Sequence, residues 1–167
     1  MDFATIFRRI EATYGINTRT SFVDLGSGVG TVVFAAAVLG AFTTVSGIEN
    51  LEGLIERAEK RIVLWKKYAE GSLAAAKVVQ FRFLKDDFIL EDRWTKEGCF
   101  LFLHWTAFSS PQIAAIAVLL SQCCEGTQCV TITHRIPDTP HTGFVLLEKG
   151  SCRASWGVAE YFVYEKT

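Results

Sequence analysis

Apolar residues at helical spacing open the chain: Phe3, Ile6, Phe7 and Ile10 recur on one face, with Arg8, Arg9 and Glu11 on the other. This pattern predicts a helix over Asp2–Tyr14 packed beside a first strand, with a turn over Gly15–Thr20. Ser21–Leu25 reads as that strand, and the apolar run Val29–Leu39 as a helix stopped by Gly40. The run is apolar nearly all round, so it belongs against a sheet. Thr43–Ile48 is β-branched and reads as a second strand ending in Glu49, with Asn50 placed to cap the next helix. That helix runs from Leu51 to Tyr68 or Ala69. Its apolar stripe is Leu54, Ile55, Ala58, Ile62 and Trp65, and Arg57, Lys60, Arg61, Lys66 and Lys67 form a basic, solvated side. Lys77–Leu84 is a third strand closed by Asp86-Asp87-Phe88, and Cys99–Leu103 a fourth ending at His104. Ser110-Pro111 starts a helix, proline suiting a first helical position. The helix covers Ile113–Cys123, and Gly126 ends that segment. Gln128–Thr133 is a fifth strand, Pro137–Pro140 a loop, and Gly143–Lys149 with Val158–Tyr164 a final strand pair.

Strands alternate with helices through five strands, and strands alone follow. The expected class is α/β: a Rossmann-like, mostly parallel sheet with an antiparallel C-terminal strand and helices on both faces. In such sheets a ligand lies beyond the carboxyl ends of the strands. Four chemically suggestive segments fall on that edge: the glycine turn Gly26–Gly30, Glu49, Asp87-Phe88 and His104–Phe108.

Composition narrows the class. The 167 residues suffice for one domain, 1–167, with a sizeable core, and a chain 50% hydrophobic and 21% charged is globular. A net charge of −1 gives no general attraction to nucleic acid or to an acidic membrane. The longest apolar stretches fall far short of the roughly 20 residues that span a bilayer, and the N-terminus has no export pattern. Five cysteines, an odd number with Cys123 and Cys124 adjacent, suit reduced thiols in an intracellular protein. Cys123, Cys124, Cys129 and Cys152 lack zinc-ligand spacing, so buried thiols are expected and no metal.

The central stretch is Val23-Asp24-Leu25-Gly26-Ser27-Gly28-Val29-Gly30 between a strand and a helix. Glycines let the backbone take φ > 0 and let a ligand approach the main chain. The spacing has Thr31 where a dinucleotide fingerprint places its third small residue. The acid before the first glycine and the shorter spacing resemble the first motif of class I S-adenosylmethionine (SAM) methyltransferases. Glu49 could accept from ribose hydroxyls or simply favour a helix start; a ribose site does not by itself choose the cofactor. Asp87 and Phe88 suit an adenine amino group and ring face, or a turn acid and a core aromatic. His104 can exchange a hydrogen bond or act as a base, or it can be structural. Trp105 and Phe108 can wall a narrow channel and hold an amine by cation–π attraction.

The chain resembles the disruptor-of-telomeric-silencing family, the non-SET histone lysine methyltransferases. The resemblance rests on Phe22–Gly30 with Val32-Val33, Gly47-Ile48-Glu49, Trp65 to Tyr68, Asp87-Phe88, Ala107-Phe108, and Ser155-Trp156 followed by the aromatic strand Tyr161–Tyr164. It implies SAM as cofactor. Asp24 and the turn residues Gly26, Ser27, Gly28 and Gly30 would hold its amino-acid end, Glu49 its ribose, and Asp87 and Phe88 its adenine. Phe108 and Trp156 would line a lysine channel beside His104 and Trp105, and a histone or nucleosome would be the partner, in the nucleus; without the resemblance the expected place is the cytoplasm. Two departures stand out. The family's upstream helical region and its Tyr-Gly-Glu loop over the cofactor have no counterpart here, so a partner would supply that loop. His104-Trp105 also replaces the family's paired asparagines. A different protein or small-molecule acceptor, and a degenerate SAM-binding or partner-surface domain without activity, are the alternative functions.

Overall fold

A computed structural model describes residues 3–16, 21–40, 42–69, 79–96, 100–137 and 142–167. Seven strands form one sheet: β1 (Ser21–Leu25), β2 (Thr44–Glu49), β3 (Gln80–Lys85), β4 (Phe100–His104), β5 (Gln128–Ile132), β6 (Phe144–Ala154) and β7 (Gly157–Lys166). Their order is β3-β2-β1-β4-β5-β7-β6. Every pairing from β3 to β5 is parallel, and β7 runs antiparallel to both β5 and β6. This is the expected sheet, with β7 as its antiparallel strand. The order reverses between β1 and β4, so the carboxyl ends of those neighbours open a crevice.

Helices lie on both faces. Helix α1 (Phe3–Tyr14) and α2 (Thr31–Leu39) share one core with the sheet, where Phe3, Phe7, Phe22, Phe42, Phe100 and Phe102 pack ring against ring. Phe3 meets Phe102 edge-on at 5.3 Å, a geometry aromatic quadrupoles favour. The other core gathers Val23, Leu25, Leu101, Leu103 and Trp105 beneath α5 (Ser110–Leu120), which contributes Ile116 and Leu120. Helix α3 (Glu52–Ala69) buries Ile55 and Ala58 and packs Trp65 on Phe34 and Phe81.

Several local expectations shift, each for a physical reason. Helix α2 starts at Thr31, not Val29, because Gly28 and Gly30 hold φ of 56° and 77° and the helix begins only beyond them. Gly40 ends α2 without a left-handed turn. Its φ is −93°, and a Cβ there would lie 2.5 Å from the Phe42 ring and 3.0 Å from Phe7. Close ring packing therefore requires the glycine. Asn50 does not cap α3; it lies one residue outside the cap position, and the Glu49 carboxylate accepts the Leu51 N–H instead, at 3.0 Å. Ser109 rather than Ser110 precedes α5, its N–H and hydroxyl both donating to Gln112 Oε1, with Pro111 one position further in. That helix ends at Leu120, short of Cys123. The hairpin is longer than its hydrophobic pattern suggests, because β6 and β7 run on through Ser151–Ala154 and Gly157 to a two-residue turn at Ser155-Trp156. A four-residue helix, α4 (Arg93–Lys96), also escapes the pattern. The expected starts at Asp2, Lys77 and Cys99, the end of the turn at Thr20, and most of the loop to Pro140 lie outside the described residues.

Candidate active site at the carboxyl edge of the sheet

Strand β1 delivers Asp24 and the glycine turn to the sheet edge. The turn closes through the sheet: the N–H groups of Gly26 and Ser27 both donate to Ile48 O, at 2.9 and 3.1 Å, and Gly30 N–H to Ser27 O at 2.9 Å. Gly30 lies against Phe83, where a Cβ would sit 2.5 Å from the ring, whereas Gly28 faces open space. One glycine is needed for packing on β3 and the other leaves the main chain uncovered. Together they form the mouth of a cleft of about 200 Å³ lined by Asp24, Gly26, Ser27, Gly28, Val29, Thr31, Val32, Phe102, His104 and Trp156.

Asp24 is 3% exposed and lines the cleft. Burial, with the nearby Glu49 carboxylate adding to it, pushes Asp24 up to about 8. At neutral pH it is mostly protonated, and a cationic group entering the cleft would draw out its charge. Glu49, at the end of β2, is buried and holds the turn itself: one oxygen accepts Gly28 N–H at 3.0 Å, the other Leu51 N–H. A carboxylate has about four lone-pair sites, so acceptor capacity for a ligand hydroxyl remains. Ser27 is buried, with its hydroxyl unpartnered and set against Gly47, where a side chain would collide with it.

Asp87 and Phe88 follow β3. Asp87 accepts Ile89 N–H at 2.9 Å, and the exposed Asp86 accepts Asp87 N–H at 2.8 Å, so both acids shape the turn. Phe88 and Phe108 meet with ring centroids 5.5 Å apart, close over Gly26. The structure thus brings the two expected aromatics together at the glycine turn. On the other side of that turn, Trp156 at the hairpin tip lies 5.0 Å from the His104 ring, and both line the cleft. Burial holds His104 below the ordinary imidazole value, and its buried Nε2 has no partner. It is therefore neutral at physiological pH.

Trp105 departs from expectation. It is fully buried in the core beneath α5, so its ring is closed off from a channel. The reason is local: β4 ends in a 3₁₀ turn, Trp105–Ala107, closed by Phe108 N–H to Trp105 O at 3.0 Å, and the first residue of that turn points down into the core. Sequence reasoning also missed Arg61. Assigned to a solvated basic side, it donates from Nη1 to Val29 O at 2.9 Å and to Thr31 Oγ1 at 3.1 Å, and lies 5.0 Å over the Phe34 ring. It ties α3 to the start of α2 and so braces the glycine turn. Its only sequence signal is its place on the α3 flank one turn before Trp65. Cys123, Cys129 and Cys152 are buried and Cys124 is half-buried; Cys99 lies outside the described residues. Among the described residues no cluster of His, Cys, Asp or Glu is arranged to hold a metal, and no helix is long and apolar enough to cross a membrane.

The fold is shared with solved methyltransferases. Over 99% of this chain and 78% of the other it is similar to the magnesium protoporphyrin IX methyltransferase ChlM of Synechocystis with bound SAM, at TM-score 0.69 and 16% identity. It is similar to an RNA methyltransferase of Salinibacter ruber in complex with S-adenosylhomocysteine, at TM-score 0.65 and 17% identity over 98% of this chain and 92% of that one. The N-methyltransferase NodS of Bradyrhizobium japonicum gives 0.66 and 11%, over 98% and 93%. A search of curated protein sequences finds no match. A family model does: residues 4–149 match the one described as Histone methylation protein DOT1. The buried carboxyl of Asp24, lining the cleft, and the open space over Gly28 fit the ammonium group and the close approach of the amino-acid end of SAM. The chain therefore belongs to the DOT1 histone methylation family and is a SAM-dependent methyltransferase.

Proposed function

We propose that this chain methylates a protein lysine, with a histone in the nucleosome as the partner and the nucleus as its place of action. The observation that carries the reading is the cleft itself. It has a buried acid, Asp24, at one wall and the tilted, packed pair of His104 and Trp156 rings at the other. Asp24 and the Gly26–Gly30 turn hold the amino-acid end of the cofactor, Glu49 its ribose, and Asp87 with Phe88 its adenine. When bound, SAM supplies an activated methyl group. The residues do the rest by alignment and exclusion of water. Phe108, packed on Phe88, and Trp156, packed on His104, flank the path of the acceptor. A lysine attacks only as the neutral amine, and we assign removal of its proton to His104, an imidazole lining the cleft beside Trp156.

The enclosed Trp105 favours a second reading, in which a different protein or a small molecule is the acceptor. With that ring withdrawn into the core, His104 alone stands where the family carries paired asparagines. Incubation with methyl-labelled SAM and either core histones or nucleosomes separates the readings. Label on a histone lysine is the expected result. No label, in protein shown to bind S-adenosylhomocysteine, overturns the lysine acceptor.

A further inference from the structure

One residue outside the cleft is held in a costly backbone conformation beside it. Thr133, immediately beyond β5, is the only non-glycine among the described residues with positive φ, 77°. A β-branched side chain is poorly tolerated there, and such outliers persist only where neighbours enforce them. Three contacts do so. Thr133 N–H donates to Glu160 O on β7 at 2.8 Å. The Thr131 hydroxyl donates to His134 O at 2.7 Å, closing the chain around Thr133. The Thr133 hydroxyl itself shares a 2.7 Å hydrogen bond with the hydroxyl of Thr106.

Thr106 is the middle residue of the 3₁₀ turn between His104 and Phe108. The turn is anchored from below by the enclosed ring of Trp105 and closed by the Phe108 N–H. Thr106 is exposed, so the hydroxyl pair pins the upper side of the turn. We propose that Thr133 is a positioning residue for the acceptor side of the cleft. Its left-handed backbone aims the hydroxyl at Thr106, and that bond fixes the turn that presents His104 and Phe108. The proposal rests on the reading of His104 and Phe108 as the acceptor side. It assigns Thr133 no contact with cofactor or acceptor.

The test reads His104 directly. Its ring protons feel the ring current of Trp156, 5.0 Å away, so their NMR shift reports the placement of the turn without any acceptor. Thr133→Val and Thr106→Val remove the shared bond. The His104 resonance should move toward that of an unstacked histidine, and methyl transfer should fall on the order of 10- to 100-fold. Affinity for S-adenosylhomocysteine should fall far less than transfer, because the glycine turn is separately braced and the cofactor side meets this turn through Phe108. Thr133→Ser keeps the hydroxyl and restores both signals. Thr133→Gly accepts the left-handed φ without strain, so its melting temperature holds or rises while the His104 resonance moves as in the valine variants. A His104 resonance unchanged in folded Thr133→Val and Thr106→Val overturns the proposal. So does a loss of S-adenosylhomocysteine affinity parallel to the loss of transfer, which marks general damage. Failure of histone labelling alone would touch the acceptor reading and leave the resonance test to decide.

Discussion

The two walls of the cleft are built on opposite principles. At the glycine turn, main-chain polar groups are answered: the N–H groups of Gly26 and Ser27 by Ile48 O, those of Gly28 and Leu51 by Glu49, and the carbonyl of Val29 by the Arg61 guanidinium. At the rim formed by β4, β5 and the hairpin, the Nε2 of His104 is buried without a partner, Thr133 is strained, and Trp156 is 56% exposed. A wall that receives one fixed ligand can be completed in advance, since preorganisation lowers the cost of binding. A wall that receives an acceptor keeps hydrogen-bonding capacity unspent until the acceptor arrives. Two side chains are exceptions on the finished side: the Ser27 hydroxyl, buried without a partner, and Asp24, a buried acid lining the cleft where the ligand's charge would arrive.

Asp24 gives the largest expected effect. In the folded protein Asp24 holds its proton up to about pH 8, whereas in the unfolded chain it releases it near the ordinary carboxylate value of 3.8. The stabilisation from the retained proton is complete below about pH 4 and is lost as pH rises to about 8. Asparagine has no such proton to lose. The stability advantage of Asp24→Asn over the natural chain should therefore grow from near zero at pH 4 to several kcal/mol at pH 8, then level off. Paired thermal melts across that range check it, and a difference independent of pH would move Asp24 to the ordinary, solvated class of acids. On cofactor binding the sign reverses. A ligand ammonium draws Asp24 into its charged form, so S-adenosylhomocysteine binding at pH 7 should release a proton. Titration calorimetry in buffers of different ionisation enthalpy reads that release directly.

Glu49→Ala is the next largest. It strips the acceptor from Gly28 and Leu51 N–H, both part-buried, and two lost hydrogen bonds with stranded donors cost about 2–4 kcal/mol. For a domain of this size that lowers the melting temperature by roughly 5–15 °C, with S-adenosylhomocysteine affinity falling alongside. Glu49→Gln keeps one acceptor oxygen and should recover about half of the stability. If Glu49→Ala loses affinity with no change in melting temperature, the carboxylate serves only the ligand, and the turn is not a finished wall.

The same contrast explains what could be read from the residues alone. The glycine turn was legible because its chemistry is local: strand, acid, glycines and helix are contiguous, and Glu49 follows at the end of the next strand. The parallel sheet with its one antiparallel strand was legible for a related reason, since apolar runs alternate with helical patterns. What stayed hidden depends on contacts distant in sequence. Arg61 looked like one of five interchangeable cations until the fold placed Val29 beneath it. Trp105 looked like a channel wall because sequence shows an aromatic after a strand, not the 3₁₀ turn that sends it into the core. Thr133 carried no signal, because left-handed strain in a threonine is imposed by β7 and Thr106. Gly40 was rightly a helix stop, but for ring packing rather than backbone freedom.

The smallest expected effect on stability falls on the rim, and it sharpens the comparison most. Trp156 occupies a two-residue hairpin turn, is more than half exposed, and has the His104 ring as its aromatic contact. Trp156→Ala should cost under about 0.5 kcal/mol, as surface substitutions do, whereas a core tryptophan costs about 3–5 kcal/mol. The melting temperature should accordingly stay within about 2 °C of the parent. Acceptor use should still change, because His104 loses the ring that orients it, and the His104 resonance should lose its ring-current shift. A large fall in melting temperature would instead make the hairpin tip part of the structural core. The rim would then be as finished as the glycine turn, and acceptor choice would have to be set by the Phe88–Phe108 pair.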